Sequence, residues 1–403
     1  MNILLLANKL PYPARDGGSL ATLNIASGLA DCGCAVTILA VNTSKHYFPV
    51  EQIPEAITSR IRFRTALADT RIKPVRLIRN LFFSEYPYNA ERFVSDRIIN
   101  ALGQLLDEQD FDVVQLEGPY LFYCIPAIRE KSKALISLRA HNIEHEIWIR
   151  NARQSGKHFM RSYFRIMAQR IRKLETDLLA AVDVLVPISG RDASIYASLG
   201  IQCPIYTATF GLEKGKYPVT APPPVTDLFF LGALDWRPNI EGLDWFIVHA
   251  WPLIKFRFPY MKFYIAGRNA AKYYSRKKSD PDIIVVGEVE DAREFISNHA
   301  VMIVPLLSGS GIRVKVLEGM AMERVVITTG IGLEGIDAHD REEVFIANDP
   351  DAFLSAVTEL ADNAELLMTT GRKARRFVME NFDNFTICQG LLTFYKEHLR
   401  WSG

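Results

Sequence analysis

The chain alternates short, continuously apolar runs with longer stretches of helical periodicity. The runs fall at 3–7, 36–41, 113–116, 134–138, 184–188, 228–231, 262–266, 283–286, 301–305 and 325–328. Runs that are apolar at successive positions, not at alternate ones, predict strands covered on both faces. Parallel sheets packed between helical layers have that pattern. The expected fold is therefore α/β, with doubly wound parallel sheets.

The pattern breaks once. Residues 211–226 read GLEKGKYPVTAPPPVT, rich in Pro and Gly with no periodic apolar face, and are expected to be a linker. The expected organisation is a first Rossmann-like domain over 1–210 and a second over 227–381. A closing helix at about 382–403 is expected to pack back on the first domain. Two such domains on a hinge would turn the carboxyl ends of both sheets toward one cleft. Ligands of open α/β sheets bind at those ends, so functional residues are expected just after strands.

Composition narrows the class. A 49% hydrophobic and 23% charged chain of 403 residues has enough apolar material for two cores. Its 47 basic and 46 acidic residues leave a net charge of +1, which argues against a nucleic-acid partner. Five cysteines, with Cys32 and Cys34 too close for an easy disulfide, point to reduced thiols in a cytosolic setting. The N-terminal MNILLLANKLPYP is too briefly apolar for a signal peptide. No apolar segment approaches the roughly 20 residues that span a bilayer. The expected location is cytoplasmic, at most peripheral at the inner membrane face.

The most informative stretch is 306–332, LLSGSGIRVKVLEGMAMERVVITTGIG. Small residues at Ser308, Gly309, Ser310 and Gly311 precede a helical pattern. Backbone N–H groups in such a loop can approach an anion, and the helix dipole favours negative charge there. Lys315 and Glu318 are three residues apart and share a helix face. A cation beside a phosphate-sized nest, with a carboxylate one turn deeper, suits a nucleoside diphosphate. A solvated Lys–Glu pair at an ordinary turn is the alternative.

Other strand ends carry candidates. Gly17, Gly18 and Ser19 follow the first strand and open a helix, as an anion or sugar contact or as a turn. Glu117 and Ser189 each follow a strand. His141-Asn142-Ile-Glu144-His145 admits three readings. His141 could contact a sugar hydroxyl, satisfy backbone groups in its loop, or join His145 as an HxxEH zinc pair of a metalloprotease. In the second half, LGALDWRPN brings Arg237 to a helix start, where a guanidinium can clamp phosphate. Gly267 and Gly287, the latter followed closely by Val289, could let a planar base lie against the backbone or shape turns. Asp280-Pro-Asp282 and Asp349-Pro-Asp351 read as turns or helix starts, and no metal is expected. Basic segments 71–83 and 147–175, with interleaved aromatics, read as solvated faces or as contacts for an anionic membrane or a lipid-phosphate acceptor.

Together these residues resemble the GT-B glycosyltransferases, and among them the retaining family 4 type, over nearly the whole chain. Gly17-Gly18 matches the glycine-rich loop, His141-Asn142 the cleft histidine and LGALDWRPN the phosphate loop. SGSGIRVKVLEGMAMERVVITTGIGLEGI matches the donor signature, the most specific of the four. The resemblance implies a nucleotide sugar donor in the second domain, a glycan or lipid-linked acceptor on the first, and retention without a metal or other cofactor. By it, Glu318 binds the ribose, Arg237, Gly311, Ile312 and Lys315 hold the diphosphate, and His141 meets the donor sugar; His141, Lys315 and Glu318 are the expected catalytic residues, and Ser310, Arg313, Gly287 and Val289 are further expected donor contacts. Gly17, Gly18, Glu117 and Asn142 fall on the acceptor side. One departure stands out: Ser310 occupies the position, eight before Glu318, where an E-x7-E pattern has its first glutamate. The expected activity is hexosyl transfer. A nucleotide-sugar epimerase or a non-catalytic nucleotide-sugar binder is the alternative.

Overall fold

A computed structural model of the chain describes residues 1–14, 16–43, 47–225, 227–274, 280–309 and 311–399. Two compact units divide it: Met1–Gly211 together with Asn384–Gly403, and Leu212–Asp383.

The first unit is built on six parallel strands: β1 (Asn2–Ala7), β2 (Ala35–Thr43), β3 (Ile61–Ala68), β4 (Val113–Glu117), β5 (Leu135–Ala140) and β6 (Val184–Pro187). Their order is β3-β2-β1-β4-β5-β6. Successive side chains of β1 feed different cores, as the period of two requires: Ile3 and Leu5 pack in one cluster, Leu4 and Leu6 in the other. The helix Asn384–Leu399 belongs to this unit and lies against the helix Gly17–Asp31. Asn384 Nδ2 donates to Asn24 O at 2.8 Å, and a Cβ on Gly28 would come within 2.3 Å of Cys388 Sγ, so the two backbones approach closely.

The second unit repeats the plan with β7 (Asp227–Leu231), β8 (Lys262–Ala266), β9 (Ile283–Gly287), β10 (Val301–Val304), β11 (Val325–Thr328) and β12 (Phe345–Ile346), in the order β12-β11-β10-β7-β8-β9. Every pairing in both sheets is parallel. The α/β, doubly wound expectation holds within each unit.

Two strands escaped the sequence pattern, and both lie at sheet edges. In β3, Ile61 and Phe63 are buried while Arg62 and Arg64 face solvent, both paired with Glu108 at 2.8 and 3.3 Å. An edge strand half-covered in this way alternates and lacks a continuous apolar run. β12 is only two residues long.

Candidate functional site

Strand order reverses between β1 and β4 in the first unit, and between β7 and β10 in the second. The carboxyl ends at such switch points are where side chains and backbone amides from two diverging loops can meet a ligand.

In the first unit, Ala7 and Glu117 pair in register at the ends of β1 and β4. Glu117 is buried and receives three donors. His141 Nε2 and Thr22 Oγ1 each donate to Oε2 at 2.8 Å, and Gln115 Nε2 donates to Oε1. Gln115 in turn accepts from the Tyr395 hydroxyl, which is also hydrogen-bonded to Ser137 Oγ at 2.9 Å. Arg139 lies fully buried beside them and donates to Ala21 O at 3.2 Å. Burial opposes the charge on Glu117, but the hydrogen bond and charge of His141, with Arg139 and Thr22, outweigh it. The carboxyl is held at about 2, below its ordinary 4.5. His141 comes from the loop after β5, so two strands, that loop and two helices build this network.

A cavity of about 150 Å³ opens over it, lined in part by Lys9, Gly18, Thr22, Glu117, His141 and Glu144. Glu144 behaves oppositely to Glu117. Burial and the nearby Glu175 push it up to about 7, against hydrogen bonds from Tyr120, at 2.9 Å, and Asn142. One carboxylate on the cavity wall is thus fixed as an anion while the other titrates near neutrality.

Gly17 and Gly18 are the first residues of the helix Gly17–Asp31, and Gly18 alone of the two lines the cavity. The helix cap is Asp16, which accepts from Ser19 N at 3.0 Å, so Ser19 lies within the first turn of the helix. Ser189 caps the helix Gly190–Ser198 through Asp192 N at 3.1 Å. Asn142 O accepts from Tyr196 at 3.2 Å. His141 precedes the helix Glu144–Gln154, while His145 lies within it and holds Glu175 through Nδ1 at 2.6 Å. The zinc reading needs both histidines on one helix face, and they are on separate elements with separate carboxylates.

In the second unit, Lys315 and Glu318 both lie on the helix Val314–Ala321, which follows β10. Lys315 reaches across the switch point: Nζ donates to Asn239 Oδ1 at 3.0 Å and sits 4.2 Å from the Phe230 ring centre. Room for it comes from Gly232, whose Cβ would lie 3.1 Å from Nζ. Gly232 is itself packed by Gly267, at φ +130, where a Cβ would come within 2.1 Å of Gly232 O; only glycine fits there. Among the described residues no carboxylate acts on Lys315. Burial, and then the Arg313 charge, lower it to about 7. Glu318 is raised to about 7 by burial, against a hydrogen bond from Tyr217 and the charge of Arg293.

The remaining predicted residues divide. Gly311 and Ile312 lie in the loop between β10 and the helix, beside Lys315, whereas Ser310 lies outside the described residues. Arg313 is the helix N-cap and buried. It donates to Gly311 O at 2.6 Å and lies 5.3 Å over the Trp236 ring, so it braces the loop. Arg237 starts the helix Arg237–Trp245 with 73% of its side chain exposed, paired with Glu241 at 2.5 Å. Glu241 also accepts from Ser308 Oγ at 3.3 Å and so links the loops after β7 and β10. Gly287 ends β9, at the sheet's far edge from the switch point, and Val289 follows it partly exposed. Asp280 accepts from Trp251 Nε1 at 2.7 Å, and Asp349 caps the helix Pro350–Asp362, as turn and helix-start residues do.

Sequence reasoning missed Thr22, Gln115 and Tyr395 around Glu117, and Tyr217 and Arg293 around Glu318. Tyr217 belongs to a stretch bound to the second unit by Arg293 to Lys216 O at 3.3 Å, Arg375 to Tyr217 O at 3.1 Å and Arg324 to Thr220 O at 3.0 Å.

Comparison with known proteins bears on both units. Residues 225–363 match the family model described as glycosyl transferases group 1. An uncharacterised 44.6 kDa protein in the cps region of Klebsiella pneumoniae is 23% identical over 392 residues, covering 95% of this chain and 96% of its own. Among solved structures, sucrose-phosphate synthase from Thermosynechococcus elongatus superposes with a TM-score of 0.71 at 15% identity, over 98% of this chain and 99% of its own. Anabaena HepE in complex with UDP and glucose gives 0.67 at 10% identity, with coverage of 98% and 99%. A variant of S. aureus TarM in complex with fondaparinux, alpha-GlcNAc-glycerol and UDP gives 0.66 at 11% identity, also with 98% and 99% covered.

Proposed function

We propose that the chain, whose residues 225–363 match the glycosyl transferases group 1 model, is a glycosyltransferase that transfers a hexose from a nucleoside diphosphate sugar to a glycan or glycolipid acceptor, with retention of configuration and without a metal. The observation that carries the donor assignment is Lys315. A half-buried ammonium with no carboxylate partner among the described residues, lowered to about 7, stands at the β7/β10 switch point, where a diphosphate would restore its charge. Glu318, one turn deeper, accepts ribose hydroxyl protons. Lys315, Arg237 and the amides of Gly311 and Ile312 stabilise the charge that develops on the leaving diphosphate. The UDP complex of HepE supports a nucleotide in a fold of this kind, and the cps-region relative supports a role in polysaccharide biosynthesis.

In the first unit, His141 works on the sugar and acceptor side, oriented by Glu117, with Gly18 and Asn142 beside it. A second reading concerns location. The helix Pro74–Phe83 exposes Val75, Phe82 and Phe83 on a segment that also carries Arg76 and Arg79, which favours peripheral contact with an anionic membrane. No helix among the described residues is long and apolar enough to cross one.

The test is a thermal-shift screen of nucleotide sugars on wild type and Glu318→Ala. At least one should stabilise the wild type at saturation, and the variant should respond less. Absence of any shift in the wild type sinks the donor site; equal shifts in both proteins remove the ribose role from Glu318.

A further inference from the structure

A cavity apart from the one over Glu117 lies in a helical hairpin of the first unit. The helices Glu144–Gln154 and His158–Ala181 pack side by side and enclose about 520 Å³, a volume suited to a small organic ligand. Its apolar wall is made by Ile149, Ala152 and Ala168. Around that wall stand Arg153, Arg161, Arg165 and Arg172.

Four guanidiniums around one cavity concentrate positive charge at its mouth: Arg161 is half-buried, and Arg153, Arg165 and Arg172 are exposed. The nearby carboxylates are otherwise engaged: Glu175 is held by His145 at 2.6 Å, and Glu146 by Arg191 at 2.8 Å and Arg150 at 3.7 Å. Arg153, Arg161, Arg165 and Arg172 take part in no ion pair among the described residues, although many other arginines of this chain do. Arg161 adds a sharper signal. One of its terminal nitrogens donates to Ser155 O at 3.2 Å, yet its Nε is buried with no hydrogen-bond partner. A buried donor left open on a cation implies an acceptor that arrives with a ligand.

We propose that this cavity binds a phosphate-bearing amphiphile, with the phosphoryl oxygens on the arginines and the apolar part along Ile149, Ala152 and Ala168. Guanidinium forks match phosphate oxygens in pairs, and a single anionic head with an apolar body satisfies both walls. A free sugar satisfies only the polar rim, and a neutral lipid leaves the arginines unpaired. This inference stands on the cavity alone and does not depend on the donor assignment.

Calorimetric titration with geranyl phosphate tests it directly, with geraniol and inorganic phosphate as controls. Geranyl phosphate is expected to bind more tightly than either control. Arg165→Gln/Arg172→Gln should weaken it by about tenfold or more per arginine removed, as expected for charge-assisted hydrogen bonds. Circular dichroism of the variant, and the salt dependence of wild-type affinity, separate loss of ligand contact from loss of fold. Flotation with phosphatidylcholine vesicles, with and without phosphatidic acid, distinguishes the source of the phosphate. Loss of vesicle binding in the variant identifies a lipid headgroup in the bilayer, and unchanged vesicle behaviour identifies a monomeric ligand. Geraniol binding as tightly as geranyl phosphate, or a folded double variant binding geranyl phosphate as well as wild type, overturns the proposal.

Discussion

The two switch points contain the same kinds of groups in opposite states. At β1/β4, Glu117 is buried yet held ionised at about 2, because the hydrogen bond and charge of His141, the charge of Arg139 and the hydrogen bond of Thr22 outweigh burial. At β7/β10, Lys315 and Glu318 are both drawn toward neutrality, each to about 7, because the fold gives neither an opposite charge strong enough to offset burial. The first site is completed by the protein itself, and the second leaves its charges weakly compensated, as the proposed donor site would. Substitutions around Glu117 should therefore be felt first as stability, with His141 also affecting transfer, and those in the second as affinity and rate.

The sharpest way to break this contrast is Lys315→Ala. Under the proposed function it should lower transfer by about 10²–10³-fold, the range for removing one preorganised group from a developing anion. Folding should be little harmed, since the variant loses a poorly solvated charge. The pH dependence carries a second check. Lys315 must be protonated to meet a diphosphate, which fails as pH rises through about 7. Glu318 must be ionised to accept from ribose, which fails as pH falls through about 7. Donor affinity should thus peak near neutrality, and Glu318→Gln should remove the acid limb alone. A flat affinity profile between pH 5.5 and 8.5, taken as roughly 1.5 units either side of those values, would contradict both assignments.

The matching experiment in the first unit is His141→Ala, read by denaturant unfolding. Removing one donor to a buried carboxylate should cost about 2 kcal/mol, less than for an isolated charge because Thr22 and Gln115 remain. The sign follows from linkage. Glu117 has a folded value below its ordinary one, so its contribution is present above about 4.5 and is lost as pH falls toward about 2. In Glu117→Gln that acid loss should disappear. Adding Glu117→Gln to His141→Ala should recover part of the stability, since no buried charge is then left behind. Additive losses in the double variant would mean that the pair is not coupled.

The same contrast explains what the sequence revealed. Ten strands were legible because apolar runs covered on both faces have no competing reading in an α/β chain, while β3 alternated and β12 was too short. Lys315 and Glu318 were legible because their relation is local, three residues on one helix after a glycine-rich loop. The partners of Glu117 were not, since Tyr395 and Thr22 come from distant parts of the chain and only tertiary packing joins them to the site. Tyr217 was hidden for another reason. Its neighbours are prolines and glycines, and composition carries no sign of a phenol hydrogen-bonded to Glu318. Arg313 shows the converse: its position suggested a phosphate ligand, yet its guanidinium turns back to Gly311 O and Trp236.

Tyr395→Phe gives the smallest and most discriminating effect. Its hydroxyl is two hydrogen bonds removed from Glu117: it donates to Gln115 Oε1, and Gln115 Nε2 donates onward. Loss of the hydroxyl leaves Gln115 Oε1 and Ser137 Oγ short of a partner in a buried setting, a cost of about 1–2 kcal/mol. It removes no donor from Glu117 itself, so the acid limb of stability should stay where it is and transfer activity should change by less than about threefold. Gln115→Leu is the counterpart, because it deletes a donor to the carboxylate. Its Glu117 should titrate higher, and the loss of stability on acidification should begin at higher pH. If Tyr395→Phe shifts the acid transition as far as Gln115→Leu does, the hydroxyl acts on the carboxylate through the chain of hydrogen bonds, and the first site extends into the helix Asn384–Leu399.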